Sequence, residues 1–323
     1  VVFSPFSVQT ALALAYMGAD GTTAAEMAQG LHFEDDVDAV ADNHKSLFDH
    51  HAQHGSVKIA NKIYLANGFN VKPTFMQLAA EKFYSAAENI DTSDGASAAR
   101  TINSWVESQT NDKIKDLVQP SDVQDSVSVL VNAVHFKADW MIKFKKTDTR
   151  SKPFWLSNSQ SKSVDMMSQD STFGYGEFDD FKALRMLYKN TDLSLVVILP
   201  NEREGLRQVE PRFWEEEADI MALLGQLQMS RTHVELPKFK IEFEAKLKPT
   251  LTQMGMGTMF TERADFSKLT SARIAVGDVI HKAVIEVDEK GTEAAAATAL
   301  VFKLTAGMPP PPPQKQFVAD HPF

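Results

Sequence analysis

The first third of the chain has apolar residues at helical spacing, interrupted by residues that begin or end helices. Ser4 followed by Pro5 is typical of a helix N-terminus, with the serine as cap and the proline in the first turn. Gly30 is typical of a helix C-terminus. The pattern predicts helices over residues 4–18, 22–30, 36–51, 74–87 and 96–110.

The rest of the chain is richer in strand patterns. Runs of β-branched and alternating residues predict strands over residues 57–65, 126–136, 183–188, 193–200, 233–243 and 279–287, with further helices over 211–229 and 247–254. The run 126–136 is apolar at almost every position, which favours a central strand. Helices followed by antiparallel-looking strands indicate an α+β fold, and because no linker or repeat interrupts residues 1–288 we predict one domain.

A different pattern begins at residue 289. Ala294 to Ala297 are four consecutive alanines, which bury too little surface to form an ordinary core element. An exposed helix of small residues is one interpretation, because alanine is the best helix former. Pro309 to Pro313 then exclude a helix or a central strand and favour an extended spacer. The combination indicates a loop that is presented to a partner.

Composition narrows the classes of function. The net charge of −10 argues against nucleic-acid binding, and no stretch approaches the ~18 apolar residues of a membrane-spanning helix. The sequence has no cysteine, no phosphate-binding glycine loop and no hydrolase or zinc-protease motif. A solvated polar face is the favoured interpretation of one histidine cluster, so we expect neither metal nor cofactor. Its members are His44, His50, His51 and His54.

Short motifs spread in order over the whole chain carry a family resemblance. They are Phe3-Ser4-Pro5-Phe6-Ser7, Ile102-Asn103-Ser104-Trp105-Val106, Asn132 to Trp140, Leu199-Pro200, Leu236-Pro237-Lys238, Ala264-Asp265-Phe266-Ser267, His281-Lys282-Ala283-Val284, Glu289 to Thr298 and Phe317 to Phe323. Together these motifs resemble the serpin family, in its inhibitory and invertebrate-like form.

The resemblance implies a serpin fold with three β-sheets, eight or nine helices and an exposed reactive-centre loop. It implies one serpin domain over residues 1–323, lacking the family's N-terminal helix and C-terminal strands, with the hinge and loop at 289–316. In serpins the loop is cleaved by a protease and inserts into the main sheet, and the protease stays bound as an acyl-enzyme. The resemblance therefore implies a suicide inhibitor and not an enzyme.

The N-terminal part of this loop, the hinge, must become a strand between two existing strands. Small residues without proline suit that step, and the hinge positions are Glu289, Gly291, Thr292, Glu293, Ala294, Ala295, Ala296, Ala297 and Thr298. The alternative is a non-inhibitory serpin that acts as a carrier, chaperone or storage protein.

The usual loop length of the family puts the reactive bond at Thr305-Ala306. Lys303, Leu304 and Gly307 mark the neighbouring bonds that remain alternatives. A small residue before the bond suits an elastase-like or subtilisin-like serine protease, and Leu304 beside it suits a papain-like cysteine protease. Cleavage after Lys303 would suit a trypsin-like protease but would shorten the inserted strand by about 7 Å.

Two further groups follow from the resemblance. The shutter, a hydrogen-bond cluster under the main sheet, would consist of Ser4, Ser7, Asn132 and His281. The breach, where the loop first enters the sheet, would consist of Trp140, Lys238 and Glu289, with an ion pair between the last two. Without the resemblance, Ser4 is a helix cap and His281 a core histidine.

The remaining expectations concern partners and location. The protease is the expected covalent partner. The third predicted helix carries Lys45 as its one basic residue, so we expect no heparin site. We expect a monomer that is secreted to the extracellular space, with an intracellular location left open.

Overall fold

A computed structural model describes residues 1–34, 36–52, 57–213, 220–292 and 314–323, and for residues 51, 52 and 57–59 it describes the backbone alone. Contacts divide the chain into two compact units. Unit 1 comprises Val1–Phe136 and Ile241–Ile285, and unit 2 comprises Lys137–Lys240 and Glu286–Phe323. The expectation of a single domain stays a prediction.

The described residues form nine α-helices. They are α1 Pro5–Gly18, α2 Gly21–Leu31, α3 Val37–Ala52, α4 Pro73–Phe83, α5 Gly95–Gln109, α6 Pro120–Val123, α7 Leu206–Val209, α8 Ile220–Gln226 and α9 Lys248–Gln253. The five helices expected in the first third are therefore present. The fourth ends earlier than predicted, because Tyr84 has a positive φ of 49° and Ala86 already begins a strand. None of the described helices is long and apolar enough to cross a membrane.

The described residues also form thirteen strands. They are β1 Val57–Ala66, β2 Ala86–Ile90, β3 Ser128–Phe136, β4 Ala138–Asp139, β5 Arg150–Trp155, β6 Ser161–Glu177, β7 Phe181–Leu187, β8 Ser194–Pro200, β9 Gln228–Pro237, β10 Phe239–Lys246, β11 Asp278–Val287, β12 Gly291–Thr292 and β13 Lys315–Val318. They build three sheets, with orders β10-β11-β3-β1-β2, β13-β9-β6-β7-β8 with β5 on β6, and β12-β4. The α+β prediction is confirmed.

Two sequence predictions were wrong in detail. Residues 233–243 do not form one strand. The strand pattern is interrupted at Lys238, which lies between β9 and β10, and these two strands belong to different sheets. The predicted helix 211–229 is only in part a helix: Glu210–Phe213 form a 3-10 turn, Ile220–Gln226 form α8 and Gln228 begins β9, while residues 214–219 lie outside the described residues.

The centre of unit 1 is β3, as the apolar run predicted. Its first eight residues are buried. Leu130 packs in the cluster that contains most of α1, whereas Val129 and Val131 pack in the cluster that contains α5. Because alternate residues of a strand point to opposite faces, α1 and α5 cover the two faces of this sheet. Polar side chains on β3 therefore have no water and must find partners within the protein.

Candidate functional site

The predicted shutter residues meet because of strand register in unit 1. Asn132 of β3 lies opposite His281 of β11 on one side and opposite Asn61 of β1 on the other. All three side chains are buried, with Asn132 and His281 fully inaccessible to water. A row of polar groups therefore crosses three adjacent strands in the middle of the sheet.

Hydrogen bonds connect this row to the start of α1. Asn132 Nδ2 donates to Ser7 O at 3.0 Å, to Ser7 Oγ at 2.6 Å and to Asn61 Oδ1 at 2.5 Å. The backbone N–H of Ser4 donates to His281 Nε2 at 3.3 Å, so the ring proton lies on Nδ1 and is donated to Asn132 Oδ1 at 2.5 Å. The four predicted residues thus form one network, which Asn61 joins.

The network is electrically neutral. Burial lowers the pKa of His281 from 6.5 to about 4, since the imidazolium would lose its hydration. A neutral ring is also what the hydrogen bonds require, because Nε2 accepts a bond and cannot carry a proton. Adding a proton to His281 would therefore break its bond with Ser4.

Local sequence explains why the start of α1 lies here. Ser4 caps the helix, since its hydroxyl accepts the N–H of Ser7 at 3.2 Å, and Pro5 occupies the first turn. The cap interpretation and the shutter interpretation of Ser4 are thus compatible, because its side chain caps while its backbone N–H contacts His281.

The predicted breach lies in unit 2, where the chain reverses after β11. Asp288 and Gly291 exchange backbone hydrogen bonds across this turn, at 3.0 and 3.3 Å. Trp140 donates two hydrogen bonds to this turn. Its indole Nε1 donates to Asp288 O at 3.0 Å, and its backbone N–H donates to Lys290 O at 2.9 Å. The same indole stacks on Tyr188 with centroids 4.6 Å apart.

Glu289 and Lys238 form the ion pair expected from the sequence. Lys238 Nζ lies 3.1 Å from Glu289 Oε2, although the approach is not aligned as a hydrogen bond. Glu289 Oε1 accepts a hydrogen bond from Thr149 Oγ1 at 2.8 Å. The carboxylate is 4% exposed and Lys238 36% exposed. Burial by itself raises the pKa of Glu289, but its own backbone amide, Thr149 and Lys238 outweigh burial and lower it.

The first hinge residues are fixed in a short ladder on β4. Gly291 lies opposite Asp139 and Thr292 opposite Ala138. Gly291 has φ 153°, and a Cβ there would lie 2.1 Å from Ala138 O, so only glycine fits. Thr292 is 1% exposed, and its hydroxyl lies 2.9 Å from Tyr188 Oη.

The main sheet has no gap between β3 and β11. β3 and β11 are paired directly in parallel, from Val129 opposite Asp278 to His135 opposite Val284, and no described strand lies between them. The hinge positions Glu293, Ala294, Ala295, Ala296, Ala297 and Thr298 lie outside the described residues, as do the reactive-bond positions Lys303, Leu304, Thr305, Ala306 and Gly307.

Sequence reasoning missed Asn61, Thr149 and Tyr188. The signal for Asn61 was a polar residue on the apolar face of a predicted strand. Thr149 and Tyr188 carried no comparable signal in the sequence, since each lies far along the chain from the hinge residue that it contacts. In the described part of the chain no group of three or more acidic or histidine side chains could hold a metal.

Comparisons with known proteins agree with this geometry. The family model described as serpin, serine protease inhibitor, matches residues 1–323. Leukocyte elastase inhibitor A of Rattus norvegicus is 36% identical over the whole chain and 87% of its own length. The crystal structure of Serpin48 from the insect Tenebrio molitor has a TM-score of 0.88 at 34% identity, covering 98% of this chain and 85% of that one.

One solved neighbour has a different activity in its name. Human thyroxine-binding globulin, in complex with its ligand, has a TM-score of 0.86 at 26% identity, covering 99% of this chain and 85% of that one. Secretion to the extracellular space stays a prediction. With one family model matched from end to end and the fold shared, the chain belongs to the serpins, a family of protease inhibitors rather than enzymes.

Proposed function

We propose that this serpin is a suicide inhibitor whose loop, once cleaved, inserts between β3 and β11. The observation that carries the proposal is the ladder already begun at the root of the loop. Gly291 and Thr292 pair with β4, which directly continues β3 along the chain. An arm that lengthened this ladder would advance along β3, where β11 now lies.

Strand directions favour the exchange. β3 and β11 run parallel, and the turn at residues 288–291 reverses the chain. An inserted arm would therefore run antiparallel to both neighbours, and two antiparallel ladders would replace one parallel ladder. Antiparallel pairing is slightly more stable per residue. The gain of about ten ladder hydrogen bonds, at ~1 kcal/mol each, is comparable to the stability of a whole domain.

The existing register predicts where the arm would go. Thr292 lies opposite Ala138, and in an antiparallel ladder each step forward on one strand is a step back on the other. Six residues further on, Thr298 would lie opposite Asn132, at the level of the shutter. The hinge is therefore long enough to reach the polar row.

Side-chain size agrees with this register. Asn132 points towards α1, where it contacts Ser7, and cross-strand partners point to the same face. Ala294, Ala296 and Thr298 would then face α1, a packed core with room for small groups only. Thr298 would bring a hydroxyl to the shutter, so that the buried amide and imidazole keep hydrogen-bond partners after the strands part.

The chemistry of trapping belongs to the protease. Its serine or cysteine would attack the carbonyl carbon of Thr305 and form an ester or thioester, while the amine of Ala306 leaves as the new N-terminus. Insertion would then carry Thr305, with the protease joined to its carbonyl carbon, away before water can hydrolyse the ester or thioester. Lys303-Leu304, Leu304-Thr305 and Ala306-Gly307 remain the alternative bonds. The relative named as an elastase inhibitor supports a protease that accepts small residues.

A gel tests the proposal. We expect incubation with elastase, subtilisin or a cathepsin to give an SDS-stable band at the summed mass less that of the released peptide, which begins at Ala306. Trypsin should give less complex, because cleavage after Lys303 shortens the arm. Cleavage by every protease without complex, and without a gain in thermal stability, would contradict inhibition.

The second candidate function is a carrier of small ligands. It is favoured by the fold shared with thyroxine-binding globulin. A carrier needs no covalent complex, so a ligand-binding chain that is cleaved as an ordinary substrate would support this alternative.

A further inference from the structure

A cavity of about 280 Å³ opens inside unit 2 beside Trp140. Its apolar lining comes from the segment after β4 and from β6, β7 and the start of β9. The main contributors are Trp140, Ile142, Phe173, Leu187 and Met229. None of the roles proposed above uses this cavity.

Backbone contacts hold the walls in place. The N–H of Met141 donates to Leu187 O at 2.9 Å, and Gln169 Nε2 donates to Ile142 O at 3.3 Å. The rim is nevertheless apolar and open to water, since Met141 is 54% and Met229 66% exposed. Methionine side chains adapt to ligands of varied shape, and an exposed apolar rim around a preformed cavity is typical of a binding site.

Among the residues that the structure describes, Arg185 is the one charged residue that lines the cavity. Its Nε donates to Ser194 Oγ at 3.1 Å, and within the part of the chain that the structure describes no acidic side chain forms an ion pair with it. The remaining guanidinium donors suit a carboxylate, which arginine binds in a planar, bidentate manner. An apolar wall with one cation is complementary to an amphipathic anion.

We propose that this cavity binds one amphipathic carboxylate, with its apolar tail against Trp140 and Phe173 and its carboxylate on Arg185. The volume is near the lower limit of small-molecule sites, so it fits a single unbranched acyl chain or a one-ring acid. The net charge of −10 repels anions in general. A preference for an anion would therefore originate at Arg185 and not in the overall field.

Calorimetric titration of the full chain tests this site without any protease, so its outcome is independent of the inhibitory function. The probes are decanoate and decyltrimethylammonium, which share a chain and differ in charge. We expect decanoate to bind at one site with a dissociation constant below about 1 mM. The ammonium should bind at least about tenfold more weakly. Equal binding of both probes, or no saturable binding, would overturn the proposal.

Three variants locate the site. Arg185→Met should weaken decanoate binding at least about tenfold, since a charged hydrogen bond is lost. Met229→Glu puts a carboxylate at the exposed rim, so it should weaken binding without affecting folding. Arg231→Met is the matched control: it removes the same charge from an exposed position opposite Thr172 on the neighbouring strand, outside the lining. The proposal is wrong if Arg231→Met weakens binding as much as Arg185→Met, or if Arg185→Met and Met229→Glu leave it unchanged.

Discussion

The shutter and the breach are held together by different kinds of interaction: a neutral hydrogen-bond network in the first and an ion pair in the second. The shutter is neutral and, apart from the half-buried Ser4, fully buried, and every one of its bonds joins groups that strand register and the α1 cap bring together. The breach contains the Lys238–Glu289 ion pair, with Lys238 partly exposed to water, and the stacked rings of Trp140 and Tyr188. A neutral network loses much when one partner is removed, whereas a half-exposed ion pair loses little.

The two regions also differ in their response to acid. Burial gives His281 a low pKa, so the contribution of the shutter to the free energy of unfolding falls as pH falls below 6.5. Glu289 has a lowered pKa because its hydrogen bonds and Lys238 outweigh burial, so the breach weakens only below the ordinary glutamate value of 4.5. Mild acid therefore acts on the shutter first.

The largest expected effect is that of a charge at hinge residue Thr292. Thr292→Arg puts a guanidinium at a buried position whose one hydroxyl contact is Tyr188. An unpaired buried charge costs several kcal/mol, so the arm should enter the sheet too slowly to trap the protease. We expect the SDS-stable complex to fall at least tenfold while cleavage continues.

Thr292→Val is the matched control, because it keeps the shape and removes only the hydroxyl. Its yield of complex should stay near that of the parent chain. Full trapping by Thr292→Arg would mean that this residue does not enter the sheet.

The next effect concerns the shutter. Asn132→Ala removes the group that bonds Ser7, Asn61 and His281, and leaves those buried atoms without partners. We expect a loss of about 3 kcal/mol in the free energy of unfolding, measured by urea denaturation. In a double-mutant cycle with Asn61→Ala the two losses should not add, since both variants remove the same hydrogen bond between Asn132 and Asn61. Additive losses would contradict a connected network.

The pH dependence isolates His281. Above pH 6.5 the ring is neutral in both the folded and the unfolded chain. Between pH 6.5 and about 4 only the unfolded chain binds the proton, so the free energy of unfolding falls. The gap between the two pKa values is worth about 3 kcal/mol. The difference in the free energy of unfolding between the parent chain and His281→Gln cancels the contributions of other titrating groups over this range. A difference that does not change with pH would count against a buried neutral ring.

The smallest effect is expected at the breach. Lys238→Ala should cost about 1 kcal/mol or less, because the ammonium is partly in water, and it should raise the pKa of Glu289. The same variant should change the ratio of complex to cleaved inhibitor. An unchanged stoichiometry of inhibition would show that the pair does not hold the root of the loop.

Features with local causes were predictable from the sequence. The start of α1 follows from Ser4 and Pro5, and the burial of β3 follows from its continuous apolar run. Four shutter residues and the Lys238–Glu289 pair came from family resemblance, and the network and ion pair are present in the structure.

Features with distant causes were not predictable in this way. Asn61 joins the shutter through its register with Asn132, which one sequence does not reveal. The break at Lys238 separates strands of two sheets within one alternating pattern, and the long strand β6 has a polar, irregular pattern that did not suggest a strand. Sheet assignment and register depend on contacts far along the chain.

The central claim is that cleavage lets the arm from Gly291 to Thr298 insert between β3 and β11 as a new strand. The most direct measurement is the melting temperature before and after the loop is cut near Thr305-Ala306. Insertion that adds about 10 kcal/mol should raise the melting temperature by about 15 °C. An unchanged or lower melting temperature after complete cleavage would contradict the account.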